Sequence, residues 1–167
     1  MLAALQVLAV MLAAVALTPA LAHALEFPGK LRLSKEEYLT VQPIYYPGFT
    51  IGGFVEIGAL FALVLLLVFA PKGEAAHWLT AGAFVLFLAA HATYWLVTHP
   101  VNKVWLKDTE TGRAGSRFFS LGAVGGEAGE PASWEALRDR WEQSHIVRAG
   151  LFASGLLLLT TAAVLTR

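Results

Sequence analysis

Residues 49–70 read FTIGGFVEIGALFALVLLLVFA, an apolar run with a single charge, Glu56. As a helix this run rises about 33 Å at 1.5 Å per residue, enough to cross a hydrocarbon core about 30 Å thick. Polar and apolar residues do not alternate along it, so it is not a half-buried strand. Backbone in lipid must satisfy its own hydrogen bonds, which a helix does within one segment. Three other stretches repeat the pattern. Residues 1–22 carry no charged side chain, 78–98 hold His91 as their one group that titrates near neutrality, and 146–166 hold Arg148 near their start. The expected fold is therefore all-α: one domain over 1–167, a four-transmembrane-helix antiparallel bundle. Its spans are expected at about 2–26, 49–70, 78–98 and 145–166.

Composition agrees. The chain has 167 residues, 57% hydrophobic and 14% charged, against about 45–50% and about 25% for a soluble domain. Twelve basic residues balance twelve acidic ones, so no excess positive charge points to nucleic acid as a partner. The lipid bilayer is the expected partner, and a bacterial inner membrane the expected place. A homo-oligomer or a membrane partner protein is compatible with the sequence. The absence of cysteine excludes disulfides, iron–sulfur clusters, thiolate zinc and a thiol nucleophile. No phosphate-binding loop, dinucleotide fingerprint, Gly-x-Ser-x-Gly elbow or zinc-protease helix occurs.

The connections are unequal. Residues 71–77 form a tight turn, which makes the second and third helices antiparallel neighbours. Loop 27–48 is punctuated by Pro28-Gly29, Pro43 and Pro47-Gly48, and within it Ser34 and Glu37 have the spacing of a capping box. The third connection, 99–144, is long, with a glycine-rich middle over 112–129. After Pro131, Ser133 is placed to cap a helix that has no breaker before the last span, giving a rod of roughly 50 Å. Loops 27–48 and 99–144 lie on one side and hold nine of the twelve basic residues. The positive-inside rule puts that side in the cytoplasm; the same loops also hold most of the acids, which weakens the rule here. Ala20-Leu21-Ala22 resembles a signal-peptidase site, but the preceding run is long and lacks a positive start, so the first helix is expected to be retained.

An ionisable group inside a span costs a few kcal/mol by insertion scales, roughly 3, and asks for a reason. Glu56 and His91 each lie about seven residues in from the long-loop side, roughly 10 Å deep. Equal depth is what a mutual pair or a shared ligand requires. Gly48, Gly52, Glu56 and Ala59 make one stripe of small residues around the acid, and Phe87, His91, Tyr94 and Thr98 make the facing stripe; small stripes let helices approach closely. Tyr94 and Trp95 sit one turn toward the mouth. Pro19 frees a carbonyl in the first helix. His23 and Glu26 end that helix, and Glu142, His145 and Arg148 step by three at the start of the fourth, with Trp141 alongside. His99, Glu26 and Glu142 read as interfacial, snorkelling groups, and Trp78, Trp105, Trp134 and Trp141 as interfacial anchors. Glu142-x-x-His145 matches part of a di-iron carboxylate pattern, and His23 or His145 with His91 is a conceivable haem pair. Neither pattern is complete, so no cofactor is assigned and neither metal nor haem is excluded.

From His99 onward a specific pattern appears: Pro100-x-Asn102, then a polar loop, then Trp134-x(3)-Arg138-x(2)-Trp141-x(3)-His145-x(2)-Arg148. This resembles the anthrone oxygenase-like family of small four-helix membrane proteins. The resemblance implies, from the fungal members, oxygen-dependent oxidation of an anthrone to an anthraquinone without a known tightly bound cofactor. Carried over, it points to Asn102, Trp141, His145 and Arg148. The glycine-rich insertion and the chemistry of the 23–37 segment depart from it.

Together these readings favour a membrane enzyme acting on a lipophilic aromatic or quinone-like small molecule by His/Glu acid–base chemistry. His91, Glu56, His145 and Arg148 are the expected catalytic groups, with His91 or His145 as base. Tyr94, Trp95, Asn102, Trp141 and His23 are the expected substrate contacts. The alternative is a non-enzymatic interaction or assembly subunit, and a third reading is a metal or haem carrier. The enzyme requires a cavity lined by His91, Tyr94, Trp95 and Glu56; the assembly subunit requires Glu56 and His91 to be closed off with no room between helices.

Overall fold

A computed structural model describes residues 1–46, 48–105 and 133–166; the glycine-rich stretch 112–129, Pro47 and Pro131 lie outside the described residues. Four helices are long and apolar enough to cross a membrane: α1 (Leu2–Lys30), α3 (Gly48–Phe69), α4 (Ala75–Trp105) and α5 (Trp134–Leu165). A short helix, α2 (Lys35–Val41), and a 3-10 turn (Gln42–Tyr45) lie between α1 and α3. No described residue is in a strand. The all-α bundle is therefore present. Contacts run α1–α3–α4–α5 and back to α1, so the four long helices close a ring. At the end away from the long loops, Gln6 Nε2 donates to Thr166 Oγ1 at 2.6 Å, tying the start of α1 to the end of α5.

Small residues let the ring close. Ala9, Ala13, Ala16 and Ala20 form one buried stripe down α1. They meet Ala59, Leu63 and Leu66 of α3, Ala83 and Phe87 of α4, and Phe152 and Leu159 of α5 in one apolar core. Gly155 is required here: a Cβ at that position would lie 2.7 Å from the Phe87 ring. Gly52 likewise receives Pro19, whose Cγ would sit 3.1 Å from an added Cβ. Gly48, by contrast, faces open space, so the small stripe of α3 that meets a neighbour starts at Gly52 and not at Gly48. The outer surface carries Phe54, Phe61, Val68, Trp78, Val85, Leu96 and Leu157, all well exposed. In water such a surface would be unsustainable; against acyl chains it is the expected one. The chain is built as an integral membrane protein.

Two helices run further than the apolar spans suggest. α1 continues through Pro28 to Lys30. α4 passes Thr98 and ends at Trp105, so residues 99–105, read from sequence as loop, are helical. α4 accommodates Pro100 with a π turn over Tyr94–Thr98. Pro100 has no N–H to offer the carbonyl four residues back; that carbonyl, Leu96 O, accepts from Arg140 Nη2 of α5 at 3.3 Å instead. α5 is one uninterrupted helix capped by Ser133, whose hydroxyl accepts from the Ala136 N–H. The capping box of α2 is formed in full: Ser34 Oγ accepts from Glu37 N–H, and Glu37 Oε2 accepts from Ser34 N–H. The Ser34 backbone and hydroxyl hold the Glu37 carboxyl below the usual carboxylate range.

A candidate active site between the helices

All four long helices send polar side chains into the half of the bundle nearest the long loops. Glu56 of α3 is at the centre, almost fully buried. Its Oε1 lies 2.9 Å from His91 Nδ1, and its Oε2 accepts from Arg148 Nη2 at 2.7 Å. The equal depth of Glu56 and His91 is thus realised as direct contact. Trp95, one turn on from His91, folds back and donates its indole N–H to His91 Nε2 at 2.9 Å. An indole nitrogen can only donate. His91 Nε2 is therefore the acceptor, Nδ1 carries the proton, and His91 donates it to Glu56. Both ring nitrogens of His91 are engaged, and so are both oxygens of Glu56.

Arg148 sits over the Tyr94 ring at 5.0 Å and the Phe152 ring at 5.5 Å. Its Nε is buried with no hydrogen-bond partner among the described residues. One turn earlier on α5, His145 packs on Trp141 and on His23 of α1, with ring centroids 4.3 Å away in each case. His145 Nδ1 is buried with no hydrogen-bond partner among the described residues. Trp141 donates its indole N–H to Asn102 Oδ1 at 2.7 Å, which fixes the amide so that its NH₂ faces away from Trp141. Thr98 and Ser144 join α4 to α5 beside it, 2.8 Å apart.

A second buried network lies one layer closer to the loops, and sequence reading missed its centre. Lys30, at the end of α1, is only 6% exposed. Its Nζ lies 3.1 Å from His23 Nδ1, 3.1 Å from Glu26 Oε2 and 3.4 Å from Glu142 Oε1. It also sits 4.9 Å from the centres of both the Tyr45 and the Trp141 rings. Tyr38 of α2 donates to Glu142 Oε1 at 2.7 Å, and Tyr45 donates to Glu26 Oε2 at 2.6 Å. Burial, and then the Glu142 carboxylate, push the Tyr38 hydroxyl far above the usual tyrosine range; burial and the Glu26 hydrogen bond do the same for Tyr45. Both phenols are therefore permanent donors. A signal for Lys30 existed: His23, Glu26 and Lys30 share one helical face at steps of three and four, visible once the helix is allowed to pass Pro28.

Three interfacial assignments are corrected. Glu142 is fully buried, with Tyr38 of α2 closed over it, and His99 is nearly so, packed against Tyr94 and Trp95. Trp141 is 2% exposed and belongs to the site. Trp78, at the opposite end, is exposed as an anchor would be. Glu26 is half-exposed but tied to Lys30 and Tyr45.

Between these groups lies a cavity with about 680 Å³ of empty space counted out through its open mouth. All nine residues expected at the site line it: Glu56, His91, His145, Arg148, Tyr94, Trp95, Asn102, Trp141 and His23. Tyr45, Tyr46, Phe49 and Thr50 add to the wall. The mix of aromatic walls with a few placed polar groups is characteristic of small-molecule sites. Glu56 and His91 are joined directly, as the assembly reading requires, yet room is left beside them, as the enzyme reading requires. Among the described residues no three metal-ligating side chains converge.

No curated protein and no solved structure matches the chain. The family model described as anthrone oxygenase matches residues 44–164, which span α3, α4 and most of α5 and hold Glu56, His91, Asn102, Trp141, His145 and Arg148. That match covers most of the sequence, and the chain belongs to the anthrone oxygenase family.

Proposed function

We propose that this protein is a membrane oxygenase, in a bacterial inner membrane, that oxidises a lipophilic aromatic substrate bearing an acidic C–H or O–H group next to a carbonyl. The observation that carries the reading is the unequal engagement of the polar groups around the cavity. His91 has no free ring nitrogen and each Glu56 oxygen already holds a partner, whereas, among the described residues, His145 makes no hydrogen bond and Arg148 keeps a buried Nε–H without a partner. His145 is therefore the group available to accept a substrate proton, and Arg148 the group available to stabilise the oxyanion that results. His91 and Trp95 act as the frame that holds Glu56, which in turn holds Arg148.

The chemistry balances with dioxygen as oxidant. His145 removes a proton from an anthrone-type CH₂. The enolate supplies electrons to O₂, and a C–O bond forms to give a hydroperoxide. Loss of water from it leaves the new carbonyl, so one oxygen atom enters the product and the other leaves as water. The aromatic walls suit a flat ring system of low water solubility.

Purified protein in lipid nanodiscs, given an anthrone and oxygen, is expected to consume O₂ and form the quinone one to one. His145→Ala is expected to lower the rate at least about a hundredfold, the lower end for a lost general base. Absence of turnover by the wild type, or full activity of His145→Ala, overturns the reading. The assembly-subunit alternative draws on the direct Glu56–His91 bond, and it gains if the wild type is inert.

A further inference from the structure

We propose that Lys30 is a positioning residue that holds His23 with its proton on Nε2, so that His23 meets a ligand as a hydrogen-bond donor to an oxygen and not as a base. The inference rests on the cavity being a ligand site, as proposed above, but it concerns α1, which lies outside the segment matched by the family.

Lys30 Nζ is enclosed by two carboxylates, Glu26 and Glu142, and by two aromatic faces, Tyr45 and Trp141. These are the partners a lysine ammonium takes. An ammonium has three donors and no acceptor, so at 3.1 Å His23 Nδ1 must present its lone pair to it. Glu26 Oε2 stands 3.6 Å from the same nitrogen, too far to draw a proton onto it against the closer ammonium. A neutral imidazole with Nδ1 accepting carries its proton on Nε2. That nitrogen has no hydrogen-bond partner among the described residues, and the ring lines the cavity.

The two histidines that touch at 4.3 Å therefore take opposite parts. His145 is unpartnered and accepts; His23 is locked and donates. A ligand that fills both needs an acidic hydrogen and an oxygen acceptor within a few ångströms of each other. Lys30 itself, its Nζ hydrogen-bonded to His23 and ion-paired with Glu26 and Glu142, does not line the cavity.

Nitrogen-15 NMR of histidine-labelled protein in nanodiscs at pH 7 reads the tautomer, with the His23 signals assigned by their loss in His23→Gln. The expected spectrum has an unprotonated Nδ1 and a protonated Nε2 at His23. Lys30→Met, checked for helix content and monodispersity, is expected to convert it to a mixture of tautomers, and Lys30→Arg to keep the wild-type form. Binding of 2-naphthol is expected to weaken about tenfold in Lys30→Met and to recover in Lys30→Arg, the loss of about one hydrogen bond to an anionic or carbonyl oxygen. An Nδ1-protonated or doubly protonated His23 in the wild type overturns the proposal, and it does so even where Lys30→Met fails to fold. A folded Lys30→Met with the wild-type tautomer also overturns it. An inert wild type would remove the oxygenase reading and leave the tautomer result standing.

Discussion

The two halves of this bundle are built on the same helices and opposite principles. Away from the long loops, α1, α3, α4 and α5 meet through Ala9, Ala13, Leu63, Leu66, Ala83, Phe87, Phe152 and Leu159. That half is dry and close-packed, and its tightest point is Gly155 against Phe87. Toward the long loops, the same four helices bury His23, Lys30, Glu56, Glu142, His145 and Arg148. Packing of small residues needs only shape, so it tolerates no cavity and has no use for one. Buried charges need partners with fixed geometry, and satisfying them props the helices apart around open space. The apolar half holds the ring closed while the polar half keeps a cavity.

That contrast predicts different failures. The largest effect is expected from Glu56→Ala, which leaves Arg148 as an uncompensated buried charge. Removing one partner of such a pair costs about 3–5 kcal/mol, read as a large drop in the thermal midpoint in detergent, with Glu56→Gln milder because it still accepts a hydrogen bond. In the apolar half, Gly155→Ala forces the Phe87 ring to move. Overpacking of this kind costs about 1–3 kcal/mol and is expected to lower the thermal midpoint while leaving affinity for 2-naphthol close to wild type. If Gly155→Ala abolished binding as thoroughly as Glu56→Ala, the two halves would not be separable. Tyr38→Phe removes a donor to Glu142 and leaves that carboxylate with less of its charge satisfied, at about 1–3 kcal/mol; its effect should shrink in a Glu142→Gln background, where the amide oxygen still accepts but carries no charge. The smallest effect is expected from Trp95→Phe, which frees His91 Nε2 at a stability cost of about 1 kcal/mol. It sharpens the assignment of the base: restored activity in a Trp95→Phe/His145→Ala double variant would show that a freed His91 can substitute.

Much of this organisation was legible in the sequence, unevenly. The four spans follow from length and charge distribution, and the Glu56–His91 contact from their equal depth. His145 and Arg148 were legible from their spacing beside Trp141. The second network was not. Lys30 lies two residues beyond Pro28, where a helix is expected to have ended, and its partner Glu142 lies four residues before the apolar run of α5. Each looks interfacial when read along its own helix. What buries them is α2, a short helix whose Tyr38 closes over Glu142, and nothing in the local pattern of α1 or α5 announces that cover. The engagement of His91 was also hidden. Trp95 stands four residues on, at the right helical spacing, but whether an indole points to the mouth or back to its neighbour depends on the π turn that Pro100 imposes.

In the proposed reaction the cavity removes a proton from its ligand and His145 takes it. Mixing the protein with an anthrone under strict exclusion of oxygen tests this directly, because the absorbance of the ionised enol then accumulates without being consumed. The account predicts that this band appears with the wild type in proportion to bound ligand and is absent with His145→Ala that still binds the anthrone. A band of equal strength in both proteins, or none in the wild type despite binding, would contradict it.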